Sequence, residues 1–127
     1  MTDVYCIDIN EAVWSHFQLM WSWDETYFGI DRIELIESAL TRPKFAAQYQ
    51  DADLIEQAAT LCYGLIKNHP WRGGNKRTAT HLMEHFLLLN GIELTYDLEE
   101  MLLLALSVEA DDCKVGEIAQ WLRGHMS

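Results

Sequence analysis

The chain has 127 residues, of which 50% are apolar, and a formal net charge of −11. This length suits one compact domain, and the charge argues against nucleic-acid binding, because phosphate binding needs cationic patches. No stretch reaches the roughly 18 to 20 consecutive apolar residues of a membrane span, and no secretion signal is recognisable. We therefore expect a cytoplasmic protein with a single domain over residues 1–127 that binds neither nucleic acid nor membrane.

Four helix starts carry the same pair of residues, an aspartate followed three positions later by a glutamate. Such a pair resembles a capping box, in which the first side chain accepts an N–H of the first turn and the glutamate reaches back. The pairs are Asp8–Glu11, Asp31–Glu34, Asp53–Glu56 and Asp97–Glu100. They predict a chain that is mostly helical.

The predicted helices follow in chain order and leave only short connections. They span residues 9–22, 32–40, 54–68, 75–90, 98–109 and 115–123. The second helix is expected to end before Pro43, because the residue before a proline disfavours helical geometry. Pro70 ends the third helix, and Gly91 suits the left-handed position after the fourth. Residues 92–95 are extended at most, so the predicted fold class is all-α.

The connection between the third and fourth helices contains the residues best suited to chemistry. It reads His69-Pro-Trp-Arg-Gly-Gly-Asn-Lys-Arg77. Backbone amides of the two glycines, at the positive end of a helix dipole, can bind an anion. Lys76 and Arg77 add charge for phosphate oxygens, and His69 can accept a proton near neutral pH. These residues suggest chemistry on a nucleotide, although the two cations could instead pair with surface carboxylates.

Metal chemistry receives little support from the sequence. Three widely spaced cysteines indicate neither a disulfide framework nor a zinc site. Residues His81-Leu-Met-Glu-His85 spell an H-x-x-E-H pattern found in zinc proteases. That site needs a third, distant ligand and a larger cleft, and these residues fit the outer side of the fourth helix. We therefore expect no metal site there.

Residues 69–79 resemble the signature of the Fic/Doc superfamily, His-x-Phe-x-Asp/Glu-Gly-Asn-Gly/Lys-Arg. The lysine at position 76, with Thr78 and Ala79 after it, looks like the death-on-curing (Doc) branch. Three flanking segments resemble parts of the family in the same order, namely residues 36–43, 86–91 and 121–123. The resemblance implies a small all-helical bundle with the motif loop before the central helix.

The resemblance also implies a function. Fic proteins usually move AMP to a protein hydroxyl, whereas Doc toxins resemble kinases that pass a phosphate from ATP to elongation factor Tu. Carried over by position, His69 would be the catalytic base, while Asn75, Lys76, Arg77 and the amides near Gly74 would hold the phosphates. The chain would then be the toxin of a toxin–antitoxin pair, with a Phd-like antitoxin as partner.

Two positions depart from the family pattern. Trp71 replaces the usual phenylalanine, which is a mild change for an apolar anchor. Gly73 stands where the family has the acidic residue that helps hold Mg²⁺, so Mg²⁺ would be held by phosphates and water alone, or transfer would be weakened or lost. Restoring the carboxylate with Gly73→Asp is expected to strengthen Mg²⁺-dependent transfer. The alternative is a catalytically degenerate Fic-fold protein that binds nucleotide or a protein partner without transfer.

Overall fold

A computed structural model describes residues 3–127 of the chain. The described residues form six α-helices, which are α1 (Ile9–Ser22), α2 (Ile33–Tyr49), α3 (Leu54–Asn68), α4 (Asn75–Leu89), α5 (Leu98–Glu109) and α6 (Val115–Gly124). Strand-like pairing in this part of the chain is limited to two isolated bridges, Ile30 with Trp71 and Leu94 with Met126. The all-α prediction is confirmed, with α1, α3 and α5 at the predicted bounds.

The predicted end of α2 is wrong, because Pro43 lies inside the helix and α2 continues to Tyr49. A proline within a helix removes one backbone hydrogen bond and crowds the preceding turn. Here Pro43 is buried together with Ala39 and Ala46. α2 also approaches α3 closely, since a Cβ built on Gly64 would lie 3.3 Å from the Ala39 Cβ. Tertiary packing along α2 therefore outweighs the local preference to stop.

The aspartate–glutamate pairs cap their helices unequally. At α3 both halves of the box form, because Asp53 Oδ1 accepts from Glu56 N at 2.8 Å and Glu56 Oε1 accepts from Asp53 N at 3.1 Å. Asp8 makes the first of these bonds at α1, and Asp97 caps α5 without a side-chain bond. The pair Asp31–Glu34 does not form a capping box, because α2 begins after Arg32 without a side-chain cap.

α3 is the most enclosed helix, with α2, α4, α5 and α6 packed around it. Its buried side chains join those of α4 in one hydrophobic core. The connection between α3 and α4 is therefore held firmly at both ends by the core. No helix among residues 3–127 is long and apolar enough to cross a membrane.

Candidate functional site

The motif loop begins where His69 leaves α3. His69 has left-handed backbone angles, φ 50° and ψ 54°, and its N–H still donates to Leu65 O at 3.2 Å. A positive φ is uncommon for a residue other than glycine. Pro70 disfavours the right-handed helical conformation at His69, so the helix cannot continue through this residue. This turn stops α3 and leaves the imidazole of His69 exposed on a cleft.

Asn75 holds the loop in its shape. The side chain is 5% exposed, its Oδ1 accepts from Trp71 N at 3.0 Å, and its Nδ2 donates to Trp71 O at 2.8 Å. The same Nδ2 lies 3.4 Å from His69 Nδ1. This distance is long for a hydrogen bond. The contact therefore does not establish which nitrogen of His69 carries the proton. Asn75 thus braces the loop from within, and its predicted contact with phosphate stays a prediction.

The predicted site residues line one cleft of about 510 Å³. One wall is the motif loop and the start of α4, including His69, Gly74, Asn75, Lys76 and Arg77 together with Arg72. The lining also includes four apolar residues of α5, and two residues that follow α1: Leu98, Met101, Leu102 and Ala105, and Trp23 and Glu25. A volume of this size fits a small-molecule ligand. The structure therefore places a histidine and three cations around one space.

Two of these cations already have acidic partners. Arg77 Nη1 lies 2.9 Å from Glu25 Oε1, and its guanidinium carbon lies 4.3 Å from the centre of the Trp23 ring. Lys76 Nζ lies 3.0 Å from Glu109 Oε2. All four charged side chains are a third or more exposed, so each pair contributes about 0 to 1 kcal/mol. Charge-assisted hydrogen bonds to phosphate, at about 1.5 to 3 kcal/mol, can replace them.

The segment after α1, residues 23–32, covers Gly73, while Met20 of α1 lies against Gly74. Arg72 N donates to Gly29 O at 2.8 Å, and the N–H groups of Asp31 and Arg32 both donate to Pro70 O at 3.0 Å. A Cβ on Gly73 would overlap the backbone carbonyl oxygen of Tyr27. The side chain of Gly73→Asp has no space unless the covering segment moves, and its effect on Mg²⁺-dependent transfer stays a prediction.

The residues around the cleft do not fit a protein-bound Mg²⁺. Gly73 provides no carboxylate, and Glu25 of the cleft is engaged by Arg77. Across residues 3–127, no group of three or more His, Cys, Asp or Glu side chains is arranged to hold a metal ion. In the H-x-x-E-H segment, Glu84 accepts from the Tyr96 hydroxyl at 2.6 Å and His85 Nε2 lies 3.3 Å from Glu11 Oε2.

His16 supports the motif loop from inside the core, and the sequence analysis did not identify it. It is fully buried on α1, and its ring stacks on Trp71 with centroids 4.2 Å apart. Its Nε2 accepts from Gly29 N at 3.0 Å, so in the neutral ring Nδ1 carries the proton and donates to Thr78 Oγ1 at 2.8 Å. Burial lowers the pKa of His16 to about 4. The one signal was a histidine between Ala12 and Met20 on the buried stripe of α1.

Comparison with known proteins identifies the family of the chain. The model of the Fic/DOC family matches residues 6–87, which include α1 to α3, the motif loop and most of α4. Toxin Doc of Mycolicibacterium smegmatis is 35% identical over 94 residues, which cover 71% of this chain and 72% of that relative. The chain therefore belongs to the Fic/Doc family, in its death-on-curing branch.

Proposed function

We propose that this protein is the toxin of a toxin–antitoxin pair and passes a phosphoryl group from ATP to a protein hydroxyl. Its first candidate target is elongation factor Tu in the cytoplasm, and its partner is a Phd-like antitoxin. The observation that carries the transfer chemistry is the meeting of His69 with Arg72, Lys76 and Arg77 in one cleft. The similarity to a protein named Toxin Doc supports the role as a toxin.

The start of α4 is suited to the phosphates. Gly74 caps this helix without a side-chain hydrogen bond, and its first turn has no acidic residue. The first amides of a helix have no partner within it, and the helix dipole adds positive potential. At α1 and α3, by contrast, aspartate side chains occupy the corresponding position. Free amides beside Lys76 and Arg77 therefore favour a bound phosphate chain.

His69 acts as the base in this proposal. The target hydroxyl oxygen attacks the γ-phosphorus of ATP while an unprotonated nitrogen of His69 takes the hydroxyl proton. The bond between the γ-phosphorus and the bridging oxygen breaks, and ADP leaves with the electron pair. Lys76 and Arg77 stabilise the charge on the phosphate oxygens, a contribution that dominates catalysis of phosphoryl transfer.

Radiolabel transfer tests the proposal. ATP labelled at the γ or the α phosphate is incubated with purified elongation factor Tu and with bacterial lysate, with Mg²⁺ or with EDTA. We expect label from the γ position alone, and loss of about a hundred- to ten-thousandfold in His69→Ala. His81→Ala is the matched control, because His81 is an exposed histidine that does not line the cleft.

The other outcomes separate the alternatives. Label from the α position means transfer of AMP. No labelled protein under either condition, with ATP binding retained, supports the binding-only alternative, which the missing carboxylate at Gly73 favours. If His69→Ala labels the target as strongly as wild type does, His69 is not the base.

A further inference from the structure

α5 is apolar on its outer side as well as on its buried side. The buried side consists of Met101, Leu104, Ala105 and Val108. The outer side carries four further leucines, which are 41% to 73% exposed: Leu98, Leu102, Leu103 and Leu106. A surface helix normally has a polar outer face, and a helix that is apolar all round is normally buried. The outer face of α5 is therefore a candidate interaction surface.

The exposed leucines begin at the His69 cleft, because Leu98 and Leu102 line it. Successive residues of an α-helix are about 100° apart, so Leu106 follows Leu102 at about 40° around α5 and Leu103 follows at about 100° in the same direction. Leu103 in turn lines a second groove, of about 430 Å³, between α5 and α6. The four leucines thus form one apolar band, the α5 leucine band, which leads from the cleft to the second groove.

The second groove combines apolar and acidic side chains. Its lining includes three apolar residues and three carboxylates, namely Leu103, Cys113 and Trp121, and Glu100, Asp112 and Glu117. Among residues 3–127, no lysine or arginine lines it. Glu100 Oε2 lies 2.5 Å from His125 Nε2, and Glu117 Oε1 accepts from Lys114 N at 2.7 Å, so Asp112 is the carboxylate best placed for a partner. Lysines or arginines beside an apolar segment complement this groove.

The position of the α5 leucine band indicates which molecule covers it. In the proposed reaction the protein substrate brings a hydroxyl to His69, so the residues next to that hydroxyl lie beside the cleft, where the band begins. From Leu98 to Leu106 the band extends about 12 Å along the helix axis, the length of about four residues of an extended chain. A second copy of this chain, with its net charge of −11, would bring the same acidic surface and be repelled.

We propose that the outer face of α5 recognises the protein substrate, and that it selects a hydroxyl flanked by apolar residues with lysine or arginine beyond them. The apolar residues pack on Leu102, Leu106 and Leu103, and the basic residues face Asp112 in the second groove. This inference rests on the proposed transfer to a protein hydroxyl and adds the class of sequence that surrounds the hydroxyl.

Peptide binding tests the surface without any transfer. The probe is a fluorescein-labelled peptide of about 12 residues, long enough to reach from the cleft to the second groove, with one threonine, then leucines, then lysines. It is prepared in both chain directions. One counterpart has glutamines in place of the leucines, and another has glutamates in place of the lysines. By fluorescence anisotropy, we expect the probe to bind more weakly as salt rises and both counterparts to bind at least tenfold more weakly than the probe.

Variants then assign the surface. Leu103→Gln with Leu106→Gln changes the part of the band outside the cleft, and because these leucines are 56% and 41% exposed, the probe should bind about ten- to a hundredfold more weakly. Asp112→Lys should weaken binding of the probe and strengthen binding of the glutamate counterpart. Leu88→Gln and Glu93→Lys are the matched controls, since both residues are exposed and line neither the cleft nor the second groove. Circular dichroism and ATP titration check that the fold and the cleft stay intact.

Transfer kinetics link the surface to the substrate. With elongation factor Tu, or with the lysate protein that accepts label, the double leucine variant should raise KM at least tenfold and leave kcat within about twofold. A merely structural defect would also lower kcat and weaken ATP binding. If wild type labels no protein, the proposed function fails, whereas the peptides still decide whether the outer face of α5 binds, because anisotropy needs no transfer.

Four results would overturn the proposal. These are equal binding of the probe and its counterparts, probe binding that the double leucine variant leaves unchanged, absence of binding in both chain directions, and an unchanged KM in the double leucine variant. Concentration-dependent dimers in sedimentation that the double leucine variant abolishes would also overturn it, because a second copy of the chain would then cover the face.

Discussion

Glu25 is expected to compete with ATP for Arg77. Its carboxylate lies 2.9 Å from the Arg77 guanidinium inside the cleft, where the proposal places a phosphate oxygen. Binding of phosphate therefore has to break this pair. Glu25→Gln keeps the size of the side chain and removes its charge, so Arg77 becomes available to the nucleotide while Trp23 still supports the guanidinium from the ring side.

The expected change follows from the exposure of the pair. Glu25 and Arg77 are 42% and 39% exposed, so the ion pair is worth about 0.2 to 1 kcal/mol. Its removal should tighten ATP binding by about 1.5- to 5-fold. Arg77→Ala should instead cost about 1.5 to 3 kcal/mol, which weakens binding roughly 10- to 150-fold.

Calorimetric titration of ATP and ADP, with and without Mg²⁺, provides the assay. The Glu25→Gln/Arg77→Ala double variant completes a cycle, and Glu99→Gln controls for net charge at an exposed position of α5 outside the cleft. If Glu25→Gln tightens binding by the same factor in the Arg77→Ala background, its effect is general repulsion and the competition argument fails. Weaker ATP binding by the Glu25→Gln single variant would also refute the competition argument.

Two further predictions concern the covering segment. Gly73→Ala should lower the free energy of unfolding by about 1 to 3 kcal/mol in denaturant titrations, because its methyl group overlaps a backbone oxygen. Gly116→Ala is the control and should not destabilise the protein, since nothing lies within 4 Å of its added methyl group. Burial lowers the pKa of His16 to about 4 from 6.5, so stability present above pH 6.5 is lost as pH falls towards 4, by up to about 3 kcal/mol. His16→Gln should flatten this loss, and equal slopes for both proteins would contradict the assignment.

Helix ends that depend on residues close in the chain were predicted correctly from the sequence. Helix ends at Ser22, Asn68 and Glu109 follow from periodicity and end signals close in the chain, and the predicted ends agree with the structure. The end of α2 was wrong because packing on α3 outweighs the effect of Pro43.

The cleft was predicted only as far as the motif loop extends. His69, Gly74 and Arg77 are neighbours in the chain, and a family motif places them together. Glu25 is 52 positions from Arg77, and His16 is 62 positions from Thr78. Those contacts depend on how α1 and the segment after it fold over the loop, which no local pattern in the sequence encodes.

The contact between Gly73 and Tyr27 also limits how this chain can evolve. An acidic residue at position 73 has no space in this arrangement, since the carbonyl of Tyr27 lies where its first side-chain atom would be. The covering segment would have to be remodelled first, while Gly29 and Arg72 keep it in place. A carboxylate at position 73 therefore requires the backbone near Tyr27 to move as well, so the two places are coupled although they are far apart in the chain.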